Sequence, residues 1–365
     1  MKNPAQSASP GPAASQAATS TPSSTSSSAP RSTHWAHIGE STFVAGLLFL
    51  YGVHRLLGRW PFRLCLYPVV FYYWATRPLA RRASLDYLRR LQAAHRVFAR
   101  TPNWRHSLRH FIAFADSLLD KLLALSGRYR FEHMRFTGRE PLFAMIERGQ
   151  GGIFITAHIG CLELCRAAIA DRHAALRLTV LVHTAHAERF NRVLQRLGDQ
   201  AHDGSGSRVQ LLQVSEVTPA TAVLLAEKVA QGEFIAIAGD RVPVALHNHA
   251  AKTVRAPFLG AQAAFPIGPY VLAALLRCPL YLMACTRVMV PGPRGKPVSS
   301  YELRFEPIAE QVLLPRADRQ GALAELAARY ALCLDATVAR SPYDWFNFFP
   351  FWDSPDPSNA RAPRP

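Results

Sequence analysis

Acidic residues are scarce in this chain of 365 residues: 25 Asp and Glu stand against 42 Lys and Arg, a net charge of +17. Such an imbalance calls for an anionic partner. No Cys-x2-Cys pair occurs among the six cysteines (Cys65, Cys161, Cys165, Cys278, Cys285, Cys333). A disulfide-stapled miniprotein is excluded, and the thiols read as reduced and mostly buried. There is no GxSxG, GxxxxGK[ST] or GxGxxG, which argues against an α/β-hydrolase, a P-loop NTPase and a dinucleotide enzyme. Nor is there an HExxH. His183-x2-His186 and His247-x-His249 lack a third ligand at useful spacing and read as loop histidines, so no metal is expected. Apolar residues make up 49% of the chain and its mean hydropathy is +0.01. That is too apolar for a wholly disordered or collagenous chain and too polar for a polytopic membrane protein.

The positive charge is concentrated. Residues 54–110 hold twelve Arg, no Lys and one acid, Asp86. Two apolar runs accompany this block: 43–53 (FVAGLLFLYGV) before it and 64–75 (LCLYPVVFYYWA) inside it, the second interrupted by Pro68. Neither reaches the roughly 18–20 apolar residues of a spanning helix. A membrane-embedded or interfacial anchor over 35–78 is the preferred reading. Tyr51, Trp60, Tyr67, Tyr72, Tyr73 and Trp74 among arginines suit an anionic headgroup interface. A buried helical hairpin is the second reading and nucleic-acid binding the third; no nucleic-acid partner is expected. Residues 1–34 are an Ala/Ser/Thr/Pro-rich tail that cannot bury enough to order itself and is not a secretory signal. Residues 353–365 read as a loose, Pro-rich tail.

Leu85, Leu88 and Leu91 mark one face of a helix over 80–100, and Phe111, Phe114, Leu118, Leu122 and Leu125 that of another over 106–125. From residue 130 the rhythm alternates. Strands are expected at 130–136, 152–157, 178–183, 209–214, 234–238, 280–285 and 302–305. Helices are expected at 140–148, 163–170, 187–197, 219–230, 267–276 and 322–339. This alternation predicts one α/β domain over 79–352 with a largely buried central sheet flanked by helices.

Three constellations could carry chemistry. In GGIFITAHIGCLELCRAA (151–168) an apolar strand ends just before His158, where open α/β sheets gather ligands. A neutral imidazole there can take a proton, and Glu163 could orient it if the chain turns at Ile159–Gly160. His-x4-Glu alone also fits a loop His beside an unrelated Glu. The second is GDRVP (239–243), again at the end of an apolar strand. Asp240 offers a carboxylate and Arg241 a fork for phosphate or carboxylate; a structural Asp–Arg pair closing a loop fits equally well. The third is the Gly/Pro-rich stretch from FLG (258–260) to FPIGP (265–269), a turn that opens a helix. Cys161 and Cys165 read as packing residues rather than nucleophiles.

Taken in order, His158-x4-Glu163, GDRVP, FLG…FPIGP and a late aromatic cluster, Trp345–Phe349, resemble the bacterial lipid A biosynthesis (late) acyltransferase family. That family is a branch of the glycerolipid acyltransferases with the His-x4-Asp/Glu motif. The likeness covers roughly residues 35–352. It implies transfer of a fatty acyl chain from acyl-carrier protein, or sometimes acyl-CoA, to a membrane lipid acceptor at the cytoplasmic face of the bacterial inner membrane. The thioester is a co-substrate and no cofactor is implied. By the resemblance His158 is the general base and Glu163 orients or charges it. Arg241 holds a phosphate of donor or acceptor, and Asp240 positions it or serves as a second carboxylate near His158. Where family members often carry Asn and Trp, this chain has Ala157 and Leu162, so a different glycolipid or an amine- or hydroxyl-bearing lipid stays open as acceptor. An acyl-CoA-dependent lysophospholipid acyltransferase and a catalytically inactive peripheral membrane-binding protein are the alternatives.

Overall fold

The computed structural model describes residues 49, 52–125, 134–165, 176–182, 209–213, 218–241, 253–291 and 296–352. The two expected tails and the helix expected at 187–197 lie outside them. After a short helical stretch at 52–57, the described residues form α1 (Arg59–Thr76), α2 (Pro78–His95) and α3 (Trp104–Leu125). The α/β body follows with β1 (Arg135–Thr137), α4 (Arg139–Glu147), β2 (Gly152–Thr156), β3 (Leu178–Val182), β4 (Val209–Gln213), α5 (Pro219–Ala230) and β5 (Phe234–Ala238). Then come β6 (Thr253–Phe258), β7 (Ala261–Pro266), α6 (Gly268–Leu276), β8 (Leu280–Pro291), β9 (Pro297–Ala309) and α7 (Arg319–Arg340).

Seven strands form one mixed sheet in the order β1-β9-β8-β2-β5-β3-β4. β8, β2, β5, β3 and β4 run parallel, while β9 returns antiparallel to β8 and β1 pairs parallel to β9. The apolar strands are buried on both faces, as parallel sheets require. Ile153 and Ile155 of β2 face a core shared with α2, α6, α7 and the β6–β7 hairpin. Phe154, between them, faces a second core with α4 and residues 161–165. This is the period of two that a pleated strand imposes.

Local signals explain the helix ends. Thr218 accepts a hydrogen bond from the Thr221 N–H, with Pro219 starting α5. Asn103 Oδ1 accepts from Arg105 N at the start of α3, and Asp318 Oδ1 from Gly321 N at the start of α7. On α2 the face that packs inward is Ser84, Tyr87, Leu88 and Leu91, all at 0% exposure. The β6–β7 hairpin closes on a two-residue turn, Leu259–Gly260, both with positive φ. It occupies the stretch expected to be a plain Gly/Pro turn; the helix expected after it is α6.

α1 is continuous across Pro68 rather than interrupted there. Pro68 lies on the exposed side of the helix, where its missing N–H leaves a carbonyl open outward instead of in the core. Phe62, Leu66 and Val70 pack on Phe111, Ala115 and Leu119 of α3. Trp60, Leu64, Tyr67 and Phe71, at helical spacing, form a second apolar stripe that stays exposed. Among the described residues no helix is long and apolar enough to cross a membrane.

Candidate active site

The carboxyl ends of β2 and β5 build the site. These strands are parallel neighbours in register, Thr156 opposite Ala238. Two residues further along each strand stand His158 and Asp240. Side-by-side placement of a base and a carboxylate distant in sequence therefore follows from strand pairing. Gly239 N–H donates to Thr156 O at 2.8 Å. A Cβ at Gly239 would lie 2.4 Å from Ile155 Cδ1, so a side chain there would have to displace the buried Ile155.

Asp240 is 1% exposed and fully engaged. Its Oδ1 is 2.9 Å from His158 Nδ1, and its Oδ2 accepts the His158 backbone N–H at 2.9 Å and the Trp345 indole N–H at 3.0 Å. Burial would raise its pKa. The charge and hydrogen bonds of His158, with Arg241, outweigh burial and hold the carboxyl well below the usual range. Arg241 Nε approaches the same His158 Nδ1 at 3.2 Å. One ring nitrogen cannot serve both groups. The shorter contact, to an ionised carboxylate, keeps the proton on Nδ1 and leaves Nε2 as the lone-pair nitrogen. The His158 side chain is 48% exposed, so the ring is open to a reactant.

Arg241 is turned inward. It donates to Phe346 O at 2.9 Å and to Asn347 Oδ1 at 3.4 Å, and its guanidinium carbon lies 4.3 Å from the Phe349 ring centroid. Burial lowers its pKa and Asp240 raises it partway back. It ties the late aromatic segment over the dyad.

Glu163 sits elsewhere than expected. Its carboxylate is 2.6 Å from Lys121 Nζ of α3, and Asp240 holds the orienting place on His158 Nδ1. The backbone explains the separation. After His158, Ile159 bridges to Trp345 and Gly160 to Cys285 of β8. The chain thus turns toward β8 and α3, while β5 and Asp240 flank β2 on its other side. Gly160 has φ +58, and a Cβ there would lie 1.7 Å from Cys285 O. Any side chain at Gly160 breaks this turn.

The nearby thiols Cys161, Cys165 and Cys285 are buried. Burial pushes Cys161 and Cys285 well above the ordinary thiol range. Among the described residues no group of three His, Cys, Asp or Glu could hold a metal ion. His183, His186, His247 and His249 lie outside those residues.

Sequence reasoning missed the support around the dyad. Trp345 is fully buried, and its carbonyl accepts from His110 Nε2 at 2.9 Å. His110 is itself fully buried, and burial lowers its pKa to about 4, so it is neutral and Nδ1 accepts from Ser84 Oγ at 3.0 Å. Behind Trp345, Asp344 accepts from Arg287 N at 2.5 Å and faces Arg287 Nη1 at 3.3 Å. The visible signal for these partners was a tryptophan beside Asp344 and a lone Arg in the apolar strand β8. No protein-family model matches the chain, and no curated protein matches it.

Proposed function

We propose that this protein is a membrane-associated acyltransferase in which His158 takes a proton from a lipid hydroxyl or amine as it attacks an acyl thioester. The observation that carries this reading is the half-exposed His158 with its Nδ1 held 2.9 Å from the buried Asp240. Nε2 is then free to act as base. The acceptor's oxygen or nitrogen bonds to the thioester carbonyl carbon, the C–S bond breaks, and the proton held by His158 passes to the leaving thiolate. Asp240 fixes the tautomer and stabilises the imidazolium, the role expected of Glu163. No acyl-enzyme is required. Acyl-carrier protein is the preferred donor and acyl-CoA the alternative; the acceptor is a lipid A-like or other glycolipid.

The exposed stripe of α1 supports the membrane part. An 18-residue helix with one apolar face on α3 and another facing outward suits lying in an interface. The neighbouring α2 presents the exposed Arg82 and Arg89 to anionic headgroups. The stripe favours an in-plane anchor within the expected 35–78 segment, and the proposed location is the cytoplasmic face of the inner membrane.

The test is transfer of a labelled acyl chain from acyl-carrier protein or CoA thioester to total bacterial lipid by the purified full chain. His158→Ala should lower the rate about 10²–10⁴-fold. Equal rates would overturn the base. Vesicle binding with no transfer from any donor would favour the non-catalytic alternative.

A further inference from the structure

The turn after α7 has features of a positioning device. Ser341 Oγ donates to Arg287 O at 2.9 Å, fixing the start of the turn on β8. Asp344 O accepts the Gly160 N–H at 2.8 Å, and Phe346 N–H donates to His158 O at 2.8 Å. These two bonds bracket the His158 backbone. Between them stands Trp345, whose indole N–H reaches Asp240 Oδ2 at 3.0 Å. The indole is walled by Tyr87, Phe351 and Phe258, with ring centroids 5.0, 5.0 and 5.3 Å away. It has no room to turn its N–H elsewhere.

We infer that Trp345 is a positioning residue: its indole N–H locks the Asp240 carboxylate, and so sets which nitrogen of His158 carries the proton. Asp240 Oδ2 has two donors, the His158 backbone and Trp345. The backbone donor is held by the bonds that bracket it, and Trp345 is the side-chain donor, brought in from the turn after α7. Its own position is fixed by the Asp344–Arg287 contacts on one side and by His110 on its carbonyl. Without the indole N–H, a buried carboxylate loses one charge-assisted bond of three and is held less firmly about its last torsion. Nδ1–H then has a less firmly held acceptor, and part of the population carries the proton on Nε2, where it blocks the base. Substrate contacts are untouched, so turnover falls while KM holds.

This inference rests on His158 acting as base, but its primary readout does not. Full-length protein with 15N-labelled histidine is compared as wild type, Trp345→Phe and Phe351→Leu. Imidazole nitrogen shifts report the His158 tautomer, labelled acyl transfer reports kcat and KM, and thermal melting reports stability. The expected result is a wild-type His158 protonated on Nδ1, with a shift toward Nε2–H in Trp345→Phe. Its kcat falls about tenfold or more, as expected on losing a hydrogen bond to a charged group, with KM unchanged. Phe351→Leu, which thins the same aromatic wall but keeps the indole N–H, lowers the melting temperature and moves tautomer and kcat far less than Trp345→Phe. A wild-type tautomer and kcat in Trp345→Phe overturn the inference. So do equal losses in both variants, which would mean packing alone. Should Trp345→Phe not fold, the Trp345 indole N–H resonance decides: it moves upfield in Asp240→Asn, and an unmoved resonance overturns the lock. If His158→Ala keeps full transfer, the base fails while the tautomer shift still stands or falls by itself.

Discussion

Asp240 and Asp344 are both buried, at 1% and 3% exposure, and each has an arginine beside it, yet they titrate in opposite directions. For Asp240 burial raises the pKa, and His158 and Arg241 more than reverse it. For Asp344 burial also raises the pKa; Arg287 lowers it, but Asp120 adds a like charge, and the net shift is upward. The difference lies in the second neighbour, an imidazole that hydrogen-bonds the carboxylate in one case and another carboxylate in the other. One region is built to keep an anion under the half-exposed His158. The region behind it, where Arg287 is shared by Asp344, Asp120 and the Tyr301 hydroxyl, is built to hold the chain in place.

Substitutions can break that contrast. The largest effect falls on catalysis: Asp240→Asn should lower acyl transfer by about 10²–10⁴-fold, in step with His158→Ala, because an amide cannot hold the same tautomer or balance the imidazolium. Next comes stability. Arg287→Met leaves two carboxylates facing each other in the interior and should cost about 3–5 kcal/mol in denaturant unfolding, far more than a surface Arg. A cost below about 1 kcal/mol would remove the structural half of the contrast.

Two pH effects are smaller. His110, with its pKa lowered from 6.5 to about 4 by burial, contributes stability that is fully present above pH 6.5. That stability is lost as pH falls from 6.5 to 4, by up to about 3 kcal/mol. His110→Gln should flatten this slope in unfolding measured at pH 7, 5.5 and 4. The two aspartates should show opposite trends. Asp240, with a depressed pKa, contributes stability present above its ordinary 3.8 and lost as pH falls below it. Asp344, with a raised pKa, destabilises progressively as pH rises above 3.8. Relative to wild type, Asp344→Asn should therefore be better tolerated at pH 7 than at pH 3, and Asp240→Asn worse tolerated at pH 7 than at pH 3. Matching trends would erase the distinction.

Much of the frame was legible in the sequence because it is local. Thr218–Pro219 starts α5 and the apolar FIAIA forms β5 within the expected bounds. β8 and β9 run far past the expected 280–285 and 302–305, to Pro291 and Ala309. Their outer halves carry residues such as Arg287, Ser299 and Ser300, held by the long hairpin pairing rather than by an apolar pattern. The β6–β7 hairpin escaped notice because Pro257, Gly260 and Pro266 read as loop residues. His158, Asp240 and Arg241 were singled out as residues; Glu163 was expected to orient His158, with Asp240 given only as a possible second carboxylate near it. Glu163 was five positions away and Asp240 eighty-two; the register of β2 on β5 decides between them, and no spacing in the sequence encodes it.

The most direct test of the dyad compares Asp240→Asn with Glu163→Gln in labelled acyl transfer from acyl-carrier protein to bacterial lipid, each corrected for folded protein. If His158 works through Asp240, Asp240→Asn loses activity about as far as His158→Ala, and Glu163→Gln stays within a few-fold of wild type. A Glu163→Gln enzyme as inactive as His158→Ala, beside an active Asp240→Asn enzyme, would contradict it.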